Sequence, residues 1–112
     1  GCKVFSIERH RPLYLQTKQR LAGLLVKANL YHGDGFIGLP REAPFDRVLV
    51  TCGAPFVPQG LTDQLKPGGR LVIPVGEGDE QRMLRIERSM DGHLLQEDLG
   101  AFRFVPMLQD KV

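Results

Sequence analysis

Glu8 closes a short run of β-branched and aromatic residues, Lys3–Ile7. A carboxylate at the carboxyl end of a strand in an α/β sheet can accept hydrogen bonds from both hydroxyls of a ribose. The alternative is an exposed carboxylate paired with Arg9 or Arg11, and the spacing leaves both readings open. Asp34 sits in Gly33-Asp34-Gly35-Phe36-Ile37-Gly38, which has the glycine spacing of dinucleotide-binding turns. That spacing works by opening a helix whose N-terminus faces a pyrophosphate. Here Pro40 follows at once, no amphipathic run begins, and Asp34 would repel a phosphate. The segment is therefore expected to be a loop whose glycines bring backbone near a ligand, with Asp34 accepting a hydrogen bond.

The other chemistry-bearing residues read as structural. His10, His32 and His93 show no metal-ligand spacing, so no metal is expected. The two serines, Ser6 and Ser89, fall inside a strand and beside a turn, which gives no Ser-His-Asp arrangement. Cys2 and Cys52 make neither a zinc spacing nor a disulfide framework, which points to a reducing cytoplasm, and Cys52 reads as a small buried apolar residue. Phe45, Phe102 and Phe104 read as core, and Gly76-Glu77-Gly78 is crowded by acids and lacks a third glycine.

The elements that must hold these residues follow from the pattern. After the first strand, Pro12 suits the opening turn of a helix. Leu13, Thr17, Leu21, Leu24 and Ala28 follow at helical spacing and predict an amphipathic helix from about Pro12 to Lys27. Asn29–His32 predicts a second short strand. Within Ala43–Gly76, apolar runs at Arg47–Val50 and Arg70–Val75 flank a helical stretch, with Pro67-Gly68-Gly69 as the turn. Two short apolar strands joined by a helix imply a parallel pair with a crossover. Ligands of such sheets lie beyond the carboxyl ends of the strands, at Thr51–Pro55 and Pro74–Gly78. Gln81–Arg88 alternates with period two, Asp91-Gly92 signals a hairpin, and Ala101–Val105 predicts a last strand before Pro106.

Length and charge narrow the classes. The 112 residues, 42% hydrophobic and 25% charged, fit one globular domain, 1–112. No apolar stretch approaches the roughly 20 residues of a membrane span, and no membrane partner is expected. The net charge of +2 is uneven: residues 1–33 carry six basic side chains against Glu8 alone, a net of +5, and the remainder carries −3. A basic helix can face nucleic acid or an acidic partner. A solvated face is favoured here, because no aromatic residues interleave as a stacking platform.

The succession SIER (Ser6–Arg9), HGDG (His32–Gly35), APFDRVLVT (Ala43–Thr51), VPQGLTDQLKPGGRLVIPVG (Val57–Gly76), Gln81 and FVPM (Phe104–Met107) closely resembles the protein-L-isoaspartate O-methyltransferase family from about Lys3 to Met107. The resemblance implies an α/β fold with a Rossmann-like methyltransferase sheet, mostly parallel, carrying an antiparallel carboxyl-terminal addition. It implies transfer of a methyl group from S-adenosylmethionine to the free carboxylate of isoaspartyl residues in damaged proteins. The resulting ester collapses to a succinimide, so the activity is one of repair. By the same resemblance Glu8, with Arg9 beside it, matches the acid on the ribose hydroxyls, and Asp34 with Gly35 matches the adenine contact. Thr51 matches the strand-end loop beside the methionine. Pro74, Val75, Phe104, Val105 and Pro106 match the walls near the isoaspartyl peptide.

Family members carry, ahead of the stretch matching Lys3, a substrate-binding segment with a serine near the reacting carboxylate, then a first strand with a GxGSGY loop. This chain starts at the point of that match, so it is expected to be the carboxyl-terminal part of such an enzyme, and no catalytic residue is assigned. With the intervening strand gone, the strand ending at Glu8 and the strand Arg47–Val50 lose a neighbour. They could pair directly, be completed by a second copy in a homo-oligomer, or belong to a truncated product. A non-catalytic binding or oligomerisation module, and a methyltransferase of different substrate, remain the alternatives.

Overall fold

In the computed structural model, which describes residues 2–112, the chain divides into two compact units. One comprises the residues up to Gly38 together with Leu108–Val112, and the other spans Leu39–Met107.

The first unit is a βαβ arrangement. Strand β1 (Phe5–Glu8) pairs in parallel with β2 (Asn29–His32), placing Glu8 opposite His32 at their carboxyl ends. Between them runs helix α1 (Arg11–Gly23), opened by Pro12 in its first turn, where the missing N–H costs nothing. The helix is shorter than the expected Pro12–Lys27. It stops at Gly23, and Leu25 takes a left-handed φ of 57°, which closes the last turn with Val26 N–H on the Leu21 carbonyl. The half-buried face is Tyr14, Thr17 and Leu21, while Leu13 and Leu24 of the expected stripe are exposed. Tyr14 stacks on His32 with ring centroids 5.8 Å apart.

Residues 109–112 close this unit by backbone pairing. Val112 N–H donates to the Arg9 carbonyl at 2.9 Å, and Arg11 N–H donates to the Val112 carbonyl at 2.6 Å. His32 Nε2 lies 3.0 Å from both of those carbonyl oxygens, so it carries the proton and donates to the pair.

The second unit is a four-stranded sheet ordered β3 (Phe45–Leu49), β4 (Leu65–Val75), β5 (Gln81–Arg88), β6 (Leu94–Phe102). β3 and β4 are parallel, joined through a single short turn of helix α2 (Gln59–Thr62), and β4–β5–β6 is an antiparallel meander. The expected parallel pair with an antiparallel addition is thus present. Within the first unit β1 pairs with β2, and within the second β3 pairs with β4.

Two bounds differ from expectation. β4 reaches back to Leu65, because Phe45 pairs with Leu65 and a bulge absorbs the Lys66–Gly69 turn residues. The last strand begins at Leu94 and ends at Phe102, and Arg103–Val105 leave it. The core gathers Val50, Ala54, Leu61, Leu65, Leu71, Ile73, Leu84 and Ile86, with half-buried Cys52 packed against it.

The solvent side carries cross-strand ion pairs: Arg70 with Glu87 at 2.6 Å, Arg85 with Glu97, and Arg82 donating from both Nε and Nη2 to Asp98 at 2.9 Å. The Arg82 side chain, and after it the Gly100 N–H, hold the Asp98 carboxyl below its ordinary range. A carboxyl lowered in the folded state adds stability above its unfolded value of about 3.9, and that stability goes as pH falls through the folded value. Acid titration of stability should therefore fall less steeply below about pH 4 in Asp98→Asn than in the wild type. Equal slopes would show that the pair carries no linkage.

Candidate functional site

Within the first unit, the expected cofactor residues gather at the carboxyl end of the β1–β2 pair. Glu8 is half-buried and its Oε1 accepts the His10 N–H at 3.0 Å. Its Oε2 accepts nothing from the described residues, and the side chain forms no ion pair with Arg9 or Arg11. One oxygen of a half-buried carboxylate is thus left for an outside donor. The chain turns after β2, with Gly33 N–H on the Glu8 carbonyl at 3.1 Å. Asp34 Oδ1 accepts the Phe36 N–H at 2.8 Å and its Oδ2 the Asp110 N–H at 3.2 Å. The glycine-spaced segment is a turn around Asp34, no helix follows Gly38, and no phosphate cradle forms. Gly35 is half-buried within that turn. The Arg9 guanidinium donates to the Asp110 carbonyl at 2.9 Å, so this residue holds the closing segment in place beside Glu8.

Within the second unit, the expected substrate residues surround the loop that follows β3. Gly53 forms a parallel bridge to Pro106, with Gly53 N–H on the Val105 carbonyl at 2.5 Å and Met107 N–H on the Gly53 carbonyl at 2.7 Å. On its other side the loop meets the end of β4: Ala54 N–H donates to the Pro74 carbonyl and Gly76 N–H to the Ala54 carbonyl, each at 2.8 Å. Gly53 and Ala54 therefore bridge Phe104–Met107 on one side and Pro74–Gly76 on the other. Thr51 is exposed at the head of this loop, Pro74 is fully buried, Val75 and Phe104 are half-buried, and Val105 and Pro106 are exposed. Gly76 has φ 151°, and a Cβ there would stand 2.9 Å from the Glu80 carbonyl oxygen, so the turn requires glycine.

Gln81 is the residue whose part single-residue reasoning missed. It is 2% exposed, its Oε1 accepts the Phe104 N–H at 2.7 Å, and its Nε2 donates to the Gly78 carbonyl at 3.0 Å. A polar residue opening a strand carries no local signal for such a role.

The sequence matches the family model described as Protein-L-isoaspartate(D-aspartate) O-methyltransferase (PCMT) over residues 1–112. The chain belongs to this family. Among curated relatives, a protein-L-isoaspartate O-methyltransferase of Christiangramia forsetii is 51% identical over 112 residues, covering 99% of this chain and 52% of the relative. One from Cytophaga hutchinsonii is 49% identical over 108 residues, covering 96% of this chain and 49% of the relative. The chain spans about half the length of the curated relatives it matches.

Two solved structures are similar in fold. A protein-L-isoaspartate O-methyltransferase superposes with a TM-score of 0.83 at 28% identity, covering 93% of this chain and 33% of that one. A Plasmodium falciparum beta-aspartate methyltransferase (PCMT), in complex with S-adenosyl-L-homocysteine, superposes with a TM-score of 0.80 at 21% identity, covering 96% of this chain and 53% of that one. The isoaspartate methyltransferase fold is thus the fold of this chain.

Among the described residues, no helix is long and apolar enough to cross a membrane, and no group of three or more His, Cys, Asp and Glu could hold a metal ion.

Proposed function

We propose that this chain is part of an S-adenosylmethionine-dependent enzyme that methylates the free carboxylate of isoaspartyl residues in damaged proteins. The observation that carries the reading is Glu8, a half-buried strand-end carboxylate whose Oε2 is open to an outside hydroxyl. In the first unit, Glu8 would accept from the ribose hydroxyls, Arg9 holds the segment beside it, and Asp34 with Gly35 would face the adenine. In the second unit, Thr51 would lie by the methionine end, and Pro74, Val75, Phe104, Val105 and Pro106 would form the wall for the isoaspartyl peptide. Bound S-adenosylmethionine would supply a sulfonium methyl group, which passes to a carboxylate oxygen as the S–CH3 bond breaks, leaving a methyl ester and a neutral thioether. A carboxylate is already a competent nucleophile, so the residues' work is to align it and exclude water.

The test uses two proteins: the 112-residue chain, and the Christiangramia forsetii relative in which residues 1–112 replace the stretch they match. Methyl transfer to an isoaspartyl peptide is expected from the chimera, and the chain alone reports how much these residues do unaided. No transfer by the chimera, with the parent relative active, would refute the proposal. Calorimetry checks the ribose assignment. Glu8→Ala should weaken S-adenosylmethionine binding to the chimera by about 1–3 kcal/mol, the cost of losing charged hydrogen bonds. Unchanged affinity removes Glu8 from the site.

A further inference from the structure

Gln81 touches three separate backbone segments of the second unit. Its two amide bonds reach Gly78, beyond β4, and Phe104, beyond β6. Its side chain also occupies the space beside Gly53, where a Cβ would stand 2.8 Å from Gln81 Cδ. The partners settle the orientation of the amide, since an N–H needs the oxygen and a carbonyl needs the nitrogen. Phe104–Met107 has left the sheet at Phe102, and its anchors are the two backbone bonds to Gly53 and this one to Gln81. Met107 packs against the core at one end of that segment, whereas Val105 at its centre is 71% exposed, so the backbone bonds and Gln81 are what hold the Phe104 end.

We propose that Gln81 is the positioning residue of the peptide wall: by fixing Phe104 against the Gly53 loop it sets how tightly an isoaspartyl peptide is held. This rests on reading Phe104-Val105-Pro106 as that wall. Gln81 acts through Phe104 and does not meet the reacting atoms, so its removal weakens peptide binding rather than the chemical step.

The test compares the chimera of residues 1–112 in the Christiangramia forsetii relative with its Gln81→Met and Gln81→Glu forms. Methionine keeps the volume and makes neither hydrogen bond. It should raise KM for an isoaspartyl peptide about tenfold with kcat changed by less than about twofold, the pattern of lost ground-state binding. Glutamate tests the same contacts by pH. Burial raises a carboxyl's pKa, and in its protonated form one oxygen accepts the Phe104 N–H while the O–H donates to the Gly78 carbonyl. Measured against the wild type at each pH, the KM of Gln81→Glu should approach parity near about pH 5.5 and depart from it toward about pH 8.

An active wild type with unchanged KM in Gln81→Met overturns the proposal, as does a loss confined to kcat or to the yield of folded enzyme. If Gln81→Met does not fold, the Gln81→Glu profile decides, and a KM ratio flat with pH overturns it. An inactive wild-type chimera ends the methyltransferase reading and this role with it, a result visible before any substitution is made.

Discussion

Replacing Ile73 by alanine is expected to lower the unfolding free energy by about 2–5 kcal/mol, read by denaturant titration. Ile73 is 0% exposed, lies in the middle of β4 and sits opposite Leu84 of β5. Its neighbours cannot collapse into the hole, because β3 and β5 hold β4 from both sides through the sheet hydrogen bonds. Among the described residues this cluster has eight buried members, so each carries a large share of its packing. Against a total stability of about 5–15 kcal/mol for an ordinary domain, such a loss is large enough to shift the folded population. A change below about 1 kcal/mol would show that this cluster is not what holds the second unit together.

Gly53→Ala should cost about 1–3 kcal/mol by overpacking. The new methyl would stand 2.8 Å from Gln81 Cδ and 3.1 Å from Nε2. Gln81 cannot simply swing aside, because both ends of its amide are bonded and its side chain is buried. Shortening that side chain makes room, so Gly53→Ala and Gln81→Ala together should cost less than their sum, by about 1 kcal/mol or more. Strict additivity in this double-mutant cycle would mean the two residues do not constrain each other.

Periodicity and punctuation located several elements closely. Asn29–His32 and Gln81–Arg88 are strands with the expected bounds, and the parallel pairing of the two runs within Ala43–Gly76 follows from the helix between them. What was not legible depends on distant partners. The helical spacing of Leu24 and Ala28 continues past Gly23, yet the chain turns there through the left-handed backbone of Leu25, which no pattern of apolar residues announces. Leu94–Leu99 joins a strand because β5 offers it a paired edge, although both its faces are exposed and its own pattern is weak. Of the candidate site, Glu8 was legible from its place at a strand end, whereas its lack of an ion pair with Arg9 or Arg11 depends on side-chain geometry that spacing does not give. The role of Gln81 is set by Phe104 and Gly78 across the fold, so its own neighbours in sequence carry no trace of it.

The return of residues 109–112 to Arg9 and Arg11 bears on how the chain assembles during synthesis. The second unit is continuous in sequence, and its meander joins near neighbours, which favours rapid folding as soon as Met107 has emerged. The first unit is not continuous: the carbonyl and amide of Val112 complete the backbone pairing at Arg9 and Arg11. On the ribosome, β1, α1 and β2 therefore wait unsealed while everything between them and Leu108 is made. The loop that must then close spans about a hundred residues, and its entropic cost grows only with the logarithm of that length. Of the two units, the one whose strands are made earlier is sealed later, and the Glu8 corner closes only once Val112 is in place.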